Sequence, residues 1–215
     1  MTRILAAVLI CAARPPAPWR FELFEAPQPV AELARLLPRC APERSLAVDF
    51  RGDGRPWPVE VHACKPGGGD DGFDDLQKLV VVRAPDGRAA HLFPLLGGDE
   101  LDALEVLSAR ALLVGIRDAR SASYTVLAWT GEGVRALRGV DLVRPAKLGW
   151  NEGFVGHFVV RPDISGLRIE VPVYAGRDKP CCPSRGRLVA YVALDPSHGA
   201  MRLLSIERQS DGVQE

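Results

Sequence analysis

The chain has 215 residues, with 27 Lys and Arg balancing 27 Asp and Glu, so no global field gathers nucleic acid or anionic membrane. Its 47% hydrophobic content is that of an ordinary soluble globular protein, and the length suits one β-rich domain or two smaller ones. The 21 glycines and 18 prolines favour many turns over many helices.

The first 18 residues read as an export signal and linker. Arg3 supplies the positive start, 4–13 an apolar run, and Cys11-Ala12-Ala13 a small-residue cleavage site, followed by proline-rich 14–18. The run is shorter than the roughly 20 apolar residues that span a bilayer. Ile10 is bulky where a lipobox before Cys11 would carry a small residue. The alternative is a buried N-terminal strand or helix.

The rest, 19–208, is expected to be one domain with a frayed tail at 209–215. Leucines at 33, 36 and 37 predict a short helix over 30–37 that ends at Pro38. A strand is predicted at 46–50, before the turn Gly52-Asp53-Gly54.

From there a pattern recurs three times, in units at 45–97, 98–148 and 149–208. A β-like run (59–61, 112–116, 169–173) is followed by a connection and a returning run (79–82, 124–129, 188–194). A glycine-bearing turn then leads to a third run (89–93, 134–137, 201–206). Such self-similarity marks an architecture in which each unit buries its apolar face on a neighbour. In the first unit Val59 and Val61 alternate with Glu60 and His62, which places His62 and Cys64 on the polar face. The second unit is preceded by 99–107, whose early acids and leucine spacing predict a second short helix. The expected fold is therefore mainly β: three largely antiparallel meanders with two short helices. They form a partial propeller-like stack, a sandwich or a distorted barrel; three units are too few for a regular propeller of 4–8 blades.

The first and third units carry long connections between their first two runs, 65–78 and 175–187; the middle one is brief. The long ones bear the candidate binding residues Asp70, Asp71, Asp74 and Asp75, and the string Cys181-Cys182-Pro183-Ser184. Once the signal is removed, Cys40, Cys64, Cys181 and Cys182 remain as disulfide candidates. Neighbouring cysteines resist bridging, because disulfides hold Cα atoms about 4.4–6.8 Å apart while adjacent Cα atoms sit about 3.8 Å apart. With all four oxidised, the surviving pairings join Cys40 and Cys64 to the Cys181–Cys182 pair and staple the first unit to the third. The alternatives are buried thiols or a soft-metal or redox site with His62.

Asp49 and Asp53, with Gly52 and Gly54, approach a calcium loop, but Arg51 stands where a third oxygen ligand is wanted. The segment from Asp163 to Gly166 is weaker still. The plain reading of both is an aspartate–glycine turn. Aspartate–glycine turns before hairpin units of this length resemble the degenerate FG-GAP or VCBS repeats of exported bacterial proteins. The Cys181-Cys182-Pro183-Ser184 string is similar to one carried in a hairpin loop by small bacterial lipoproteins. These resemblances imply an exported β-repeat protein with an adhesive or binding role, and they transfer no catalytic residue.

No enzyme motif is present: no Gly-x-Ser-x-Gly elbow, no phosphate loop and no His-Glu-x-x-His. The tryptophans are expected to pack in the core or between units. The expectation is a periplasmic or secreted non-catalytic domain that binds a protein or small ligand through the long loops. No cofactor is expected, and the alternative is a metal or thiol-redox protein built on the cysteines and His62.

Overall fold

The computed structural model of the chain describes residues 33–65, 75–107, 110–117, 122–149, 151–154, 158–179 and 182–210. Residues 1–18, expected as an export signal and linker, together with Asp70, Asp71, Asp74, Cys181 and the end of the tail, lie outside the described residues.

Thirteen strands among these residues form three antiparallel meanders. The first comprises β1 (Cys40–Val48), β2 (Trp57–Cys64), β3 (Lys78–Arg83) and β4 (Ala89–Leu95); the second comprises β5 (Glu100–Leu107), β6 (Ala111–Arg117), β7 (Ala122–Trp129) and β8 (Val134–Ala136). The third contains β10 (Val159–Asp163), β11 (Gly166–Ala175), β12 (Arg187–Asp195) and β13 (Ala200–Gln209). A short β9 (Glu152–Phe154) pairs with the far end of β11, beyond β10. All nine recurring runs are strands, and the architecture is mainly β. A single turn of helix, α1 (Val143–Ala146), joins the second meander to the third and packs on β13.

The meanders stack face to face with the second in the middle. Because successive strand residues point to opposite faces, Leu112 and Val114 of β6 pack with Val59, Val61, Val80 and Val82 of the first meander. Their neighbours Ala111 and Leu113 pack with Leu167, Ile169, Val171 and Val173 of the third. A sheet buried on both faces needs apolar residues at consecutive positions, which explains the apolar runs 111–116 in β6 and 126–129 in β7. Each fully buried Val or Leu contributes about 1.5–3 kcal/mol, so the two interfaces are the main cohesion of the fold.

The two outer faces end differently. On the first meander, Leu79, Val81 and Leu92 are covered by Leu33, Leu36 and Leu76. The described part of the predicted N-terminal helix starts with helical Leu33 and Ala34 and tightens through a turn into a 3-10 turn at Leu37–Arg39, with Leu36 N donating to Leu33 O and Arg39 N to Leu36 O, both at 2.9 Å. On the third meander, Glu170 receives Arg168 at 2.8 Å and Arg187 at 3.0 Å, giving that face a charged surface. A polar outer face is how a stacked architecture stops.

One predicted element is overturned. The residues expected as a second helix at 99–107 form β5 instead. The cause is a β-bulge: the register runs Leu101↔Ile116 and then Ala103↔Gly115, so Asp102 is an extra residue. The bulge inverts the alternation that follows. Leu101 and Leu104 both face the first meander, whereas Ala103 and Leu107 face the third. Leucines three apart on one face imitated a helical period that belongs to a bulged strand. The strand predicted at 46–50 in fact begins at Cys40.

Candidate functional site

In each meander the second and third strands (β2 and β3, β6 and β7, β11 and β12) are joined at an equivalent end, by 65–77, 118–121 and 176–186. Two clefts open at the ends that carry the long connections. The first, of about 550 Å³, lies where the first meander meets the second. Glu43, Lys78, Asp99 and Glu100 line it together with the buried side chains Val61 and Leu95. Lys78 Nζ is 3.1 Å from Glu43 Oε2, and Glu43 is itself the extra residue of a bulge in β1. Asp75 lies close by, its Cβ 3.4 Å from where a side chain on Gly97 would begin.

The second cleft, of about 590 Å³, is lined by Pro183, Ser184, Arg185, Gly186, Arg208 and Ser210. Two carboxylates organise it. Asp178 Oδ2 accepts from Ala175 N at 2.6 Å and from both Ser184 N and Ser184 Oγ at 2.9 Å, so one oxygen pins the two ends of the loop. The Ala175 amide, followed by that of Ser184, holds the Asp178 carboxyl below its ordinary range. Glu152 forms a two-pronged pair with Arg208, at 3.0 Å and 2.8 Å, and accepts from Gly149 N at 3.0 Å. Chiefly through the Arg208 bonds, its carboxyl is pulled down to about 2. Arg208 also donates to Arg185 O at 3.1 Å, which ties the last strand to the cleft wall. Arg185 itself stays half-exposed, and Arg177 and Lys179 on the same loop are exposed.

The other sequence-predicted residues are distributed elsewhere. Asp49 and Asp53 shape the loop that contains them. Asp49 accepts from Gly52 N at 2.7 Å, Asp53 N at 3.2 Å and Gly54 N at 2.9 Å, and the Gly54 bond foremost lowers its pKa. Gly52 and Gly54 have φ of +70° and +75°, which only glycine adopts without strain. Asp53 is bonded to Arg55 N at 3.0 Å and paired with Arg51 at 3.2 Å. Arg51 in turn stacks on Trp129, 4.8 Å from the ring centroid, beside the edge-on contact of Trp57 with Trp129. Asp163 serves its turn in the same way, accepting from Ser165 N and Oγ.

The expected staple between the first and third units is overturned, because Cys40 is bonded to Cys64. They are direct partners across β1 and β2 with Cα atoms 4.0 Å apart. The backbone bond Lys65 N to Arg39 O, at 3.1 Å, flanks them, so they occupy a non-hydrogen-bonded position, where strands approach most closely. Excluding this pair depended on all four cysteines being oxidised together. Cys182 is exposed on the third-meander loop, its N–H bonded to Lys179 O at 2.9 Å.

His62 is buried beside this disulfide. Its Nε2 is 2.8 Å from Glu60 Oε2, which also accepts from Arg83 Nε at 2.9 Å, while its buried Nδ1 has no partner. Burial raises the Glu60 pKa, but the bonds from His62 and Arg83 outweigh it and leave the carboxyl below its usual value. His91 bridges two meanders by donating from Nε2 to Val134 O at 2.9 Å.

Sequence reasoning did not find the Glu152–Arg208 pair, whose members are 56 residues apart, or the cluster of Asp102, Arg117 and Tyr124. Tyr124 OH donates to Asp102, whose other oxygen is 2.7 Å from Arg117. The Asp102 bulge left its trace only as misleading leucine spacing. An apparent triad of Asp195, Ser197 and His198 is a turn: Ser197 Oγ at 2.7 Å and His198 Nδ1 at 2.9 Å both bond to the Asp195 carboxylate. The hydroxyl hydrogen is already committed to the carboxylate, so there is no nucleophile–base–orienter chain.

Among the described residues, no three His, Cys, Asp or Glu side chains are disposed to hold a metal ion with the disulfide closed, and no helix is long and apolar enough to cross a membrane. Comparison of the chain with protein-family models, curated proteins and solved structures finds no match.

Proposed function

We propose that this protein is an exported, non-catalytic binding domain that engages a protein or small ligand through the long connections of its first and third meanders. The observation that carries this reading is the position of the two clefts: each adjoins one of the long connections. The walls differ in chemistry. The first cleft presents Glu43, Asp99 and Glu100 against Arg44 and Lys78, whereas the loop of the third presents Arg177, Lys179 and Arg185. Binding sites are commonly loops positioned by a rigid scaffold, and three stacked meanders provide one. The Cys40–Cys64 disulfide and the N-terminal signal pattern favour an oxidising compartment.

The test is site-specific photocrosslinking in the producing cells, with a photoreactive residue at Gln77 or Ser184 and a control at Glu132 in the turn after β7. Adducts of one defined mass from Gln77 and Ser184 but not Glu132, in protein recovered from the exported fraction, are expected. Equal labelling at all three positions, or protein retained in the cytoplasm, overturns the proposal.

A further inference from the structure

We infer that His62, Cys40 and Cys64 form a latent soft-metal site that opens when the disulfide between the two cysteines is reduced, with zinc as the ion it takes. The three residues share one face of the first meander. His62 and Cys64 are two apart on β2, and Cys40 is the direct partner of Cys64 on β1. Leu79, the cross-strand partner of His62, belongs to the same covered face, against which both cysteines pack.

The histidine carries the argument. Its residue is 6% exposed, yet the buried Nδ1 has no hydrogen-bond partner. A buried polar atom left unpaired costs about 1–3 kcal/mol, and such atoms in folded proteins call for a reason. Glu60, itself held by Arg83, is a carboxylate that accepts, so Nε2 of His62 is the donor and the ring nitrogen left to offer a lone pair to a metal is Nδ1. A carboxylate fixing one ring nitrogen while the other offers its lone pair is the arrangement that surrounds metal-bound histidines. Two thiolates and one imidazole are a donor set suited to zinc, with a fourth position left for water.

The chemistry balances with a dithiol reductant. The Cys40–Cys64 S–S bond breaks as the dithiol gives up two electrons and two protons, becoming a disulfide itself. Zinc then displaces the two thiol protons to solvent and binds both thiolates. Both cysteines are half-buried rather than enclosed, which leaves the bond open to attack. Closure of the disulfide removes both sulfur ligands, so metal and disulfide exclude each other.

The test uses the full chain with Cys11→Ser, Cys181→Ser and Cys182→Ser, which removes the competing thiols, and cobalt(II) as the spectroscopic probe for zinc. The oxidised protein is expected to show no thiolate-to-cobalt charge-transfer absorption. After reduction, one equivalent should produce that absorption and the visible bands of a tetrahedral ion, which zinc should bleach. His62→Gln should abolish tight binding, and Glu60→Gln should weaken it by about 10–100-fold. X-ray absorption at the zinc edge of the reduced protein with native His62 should show two sulfur neighbours and one histidine nitrogen, a readout that does not depend on how the His62 variant folds. Absence of cobalt binding after reduction, a metal shell without histidine, or unchanged affinity in a folded His62→Gln protein overturns the proposal.

Discussion

The ring of Tyr124 occupies the space that a side chain on Gly115, its cross-strand partner, would need: a Cβ there would lie 2.6 Å from Tyr124 Cε1. The ring is not free to withdraw. Its hydroxyl donates to Asp102 and lies 3.4 Å from Phe158 O, and the ring contacts Phe158 with centroids 6.0 Å apart. Glycine is required here for space rather than for backbone freedom. Gly115→Ala is expected to destabilise the protein by about 1–3 kcal/mol through overpacking. Urea unfolding should show a lower midpoint at unchanged slope, and an unchanged midpoint would mean that the ring can move aside.

The same tyrosine predicts alkaline behaviour. Burial first, and then the Asp102 carboxylate, push its phenol up from 10.0 to about 12. A folded-state pKa above the unfolded one gives stability that is complete below the unfolded value and is lost as the pH rises toward the folded one. The contribution of Tyr124 should therefore fade between pH 10.0 and about 12. Tyr124→Phe should flatten that part of the stability profile and, at neutral pH, cost about 1–2 kcal/mol for the lost bond to Asp102.

Glu152 predicts the acid limb. Its carboxyl is pulled from 4.5 down to about 2, foremost by Arg208, so its stabilising effect is complete above pH 4.5 and disappears as the pH falls toward 2. Thermal melts across that range should show a shallower decline for Glu152→Gln than for the parent. Parallel curves would show that the pair contributes nothing to folding.

His91 acts at milder acidity. Burial lowers its pKa below 6.5, and the bond to Val134 O only partly opposes this. The folded state thus resists protonation, and stability should begin to fall as the pH drops below 6.5. Histidine NMR titration should place His91 below 6.5, and His91→Gln should remove this component of the acid sensitivity.

Non-reducing peptide mapping should yield one linked peptide containing Cys40 and Cys64. The bridge closes a loop with a sequence separation of 24, worth about 3 kcal/mol in the chain-entropy model. Cys40→Ser together with Cys64→Ser should lower the melting temperature accordingly. Recovery of peptides linking Cys40 or Cys64 to Cys181 or Cys182 would contradict the strand pairing of β1 with β2.

Period-two alternation and glycine turns are properties of local sequence, and they sufficed to locate the nine recurring strands and the mainly β class. The long connections were visible for the same reason: composition changes abruptly at Gly67-Gly68-Gly69 and at Cys181-Cys182. Three-dimensional pairing decided what lies between distant residues. Whether leucines at 101 and 104 belong to a helix or a strand depends on the partner β6 and on one bulged aspartate, information absent from the segment itself. Cys40 meets Cys64 because two strands align in one register, and Arg208 meets Glu152 because the last strand returns beside the third-meander loop. Spacing along the chain records neighbours in sequence, but contacts between charges and thiols are set by how whole sheets stack.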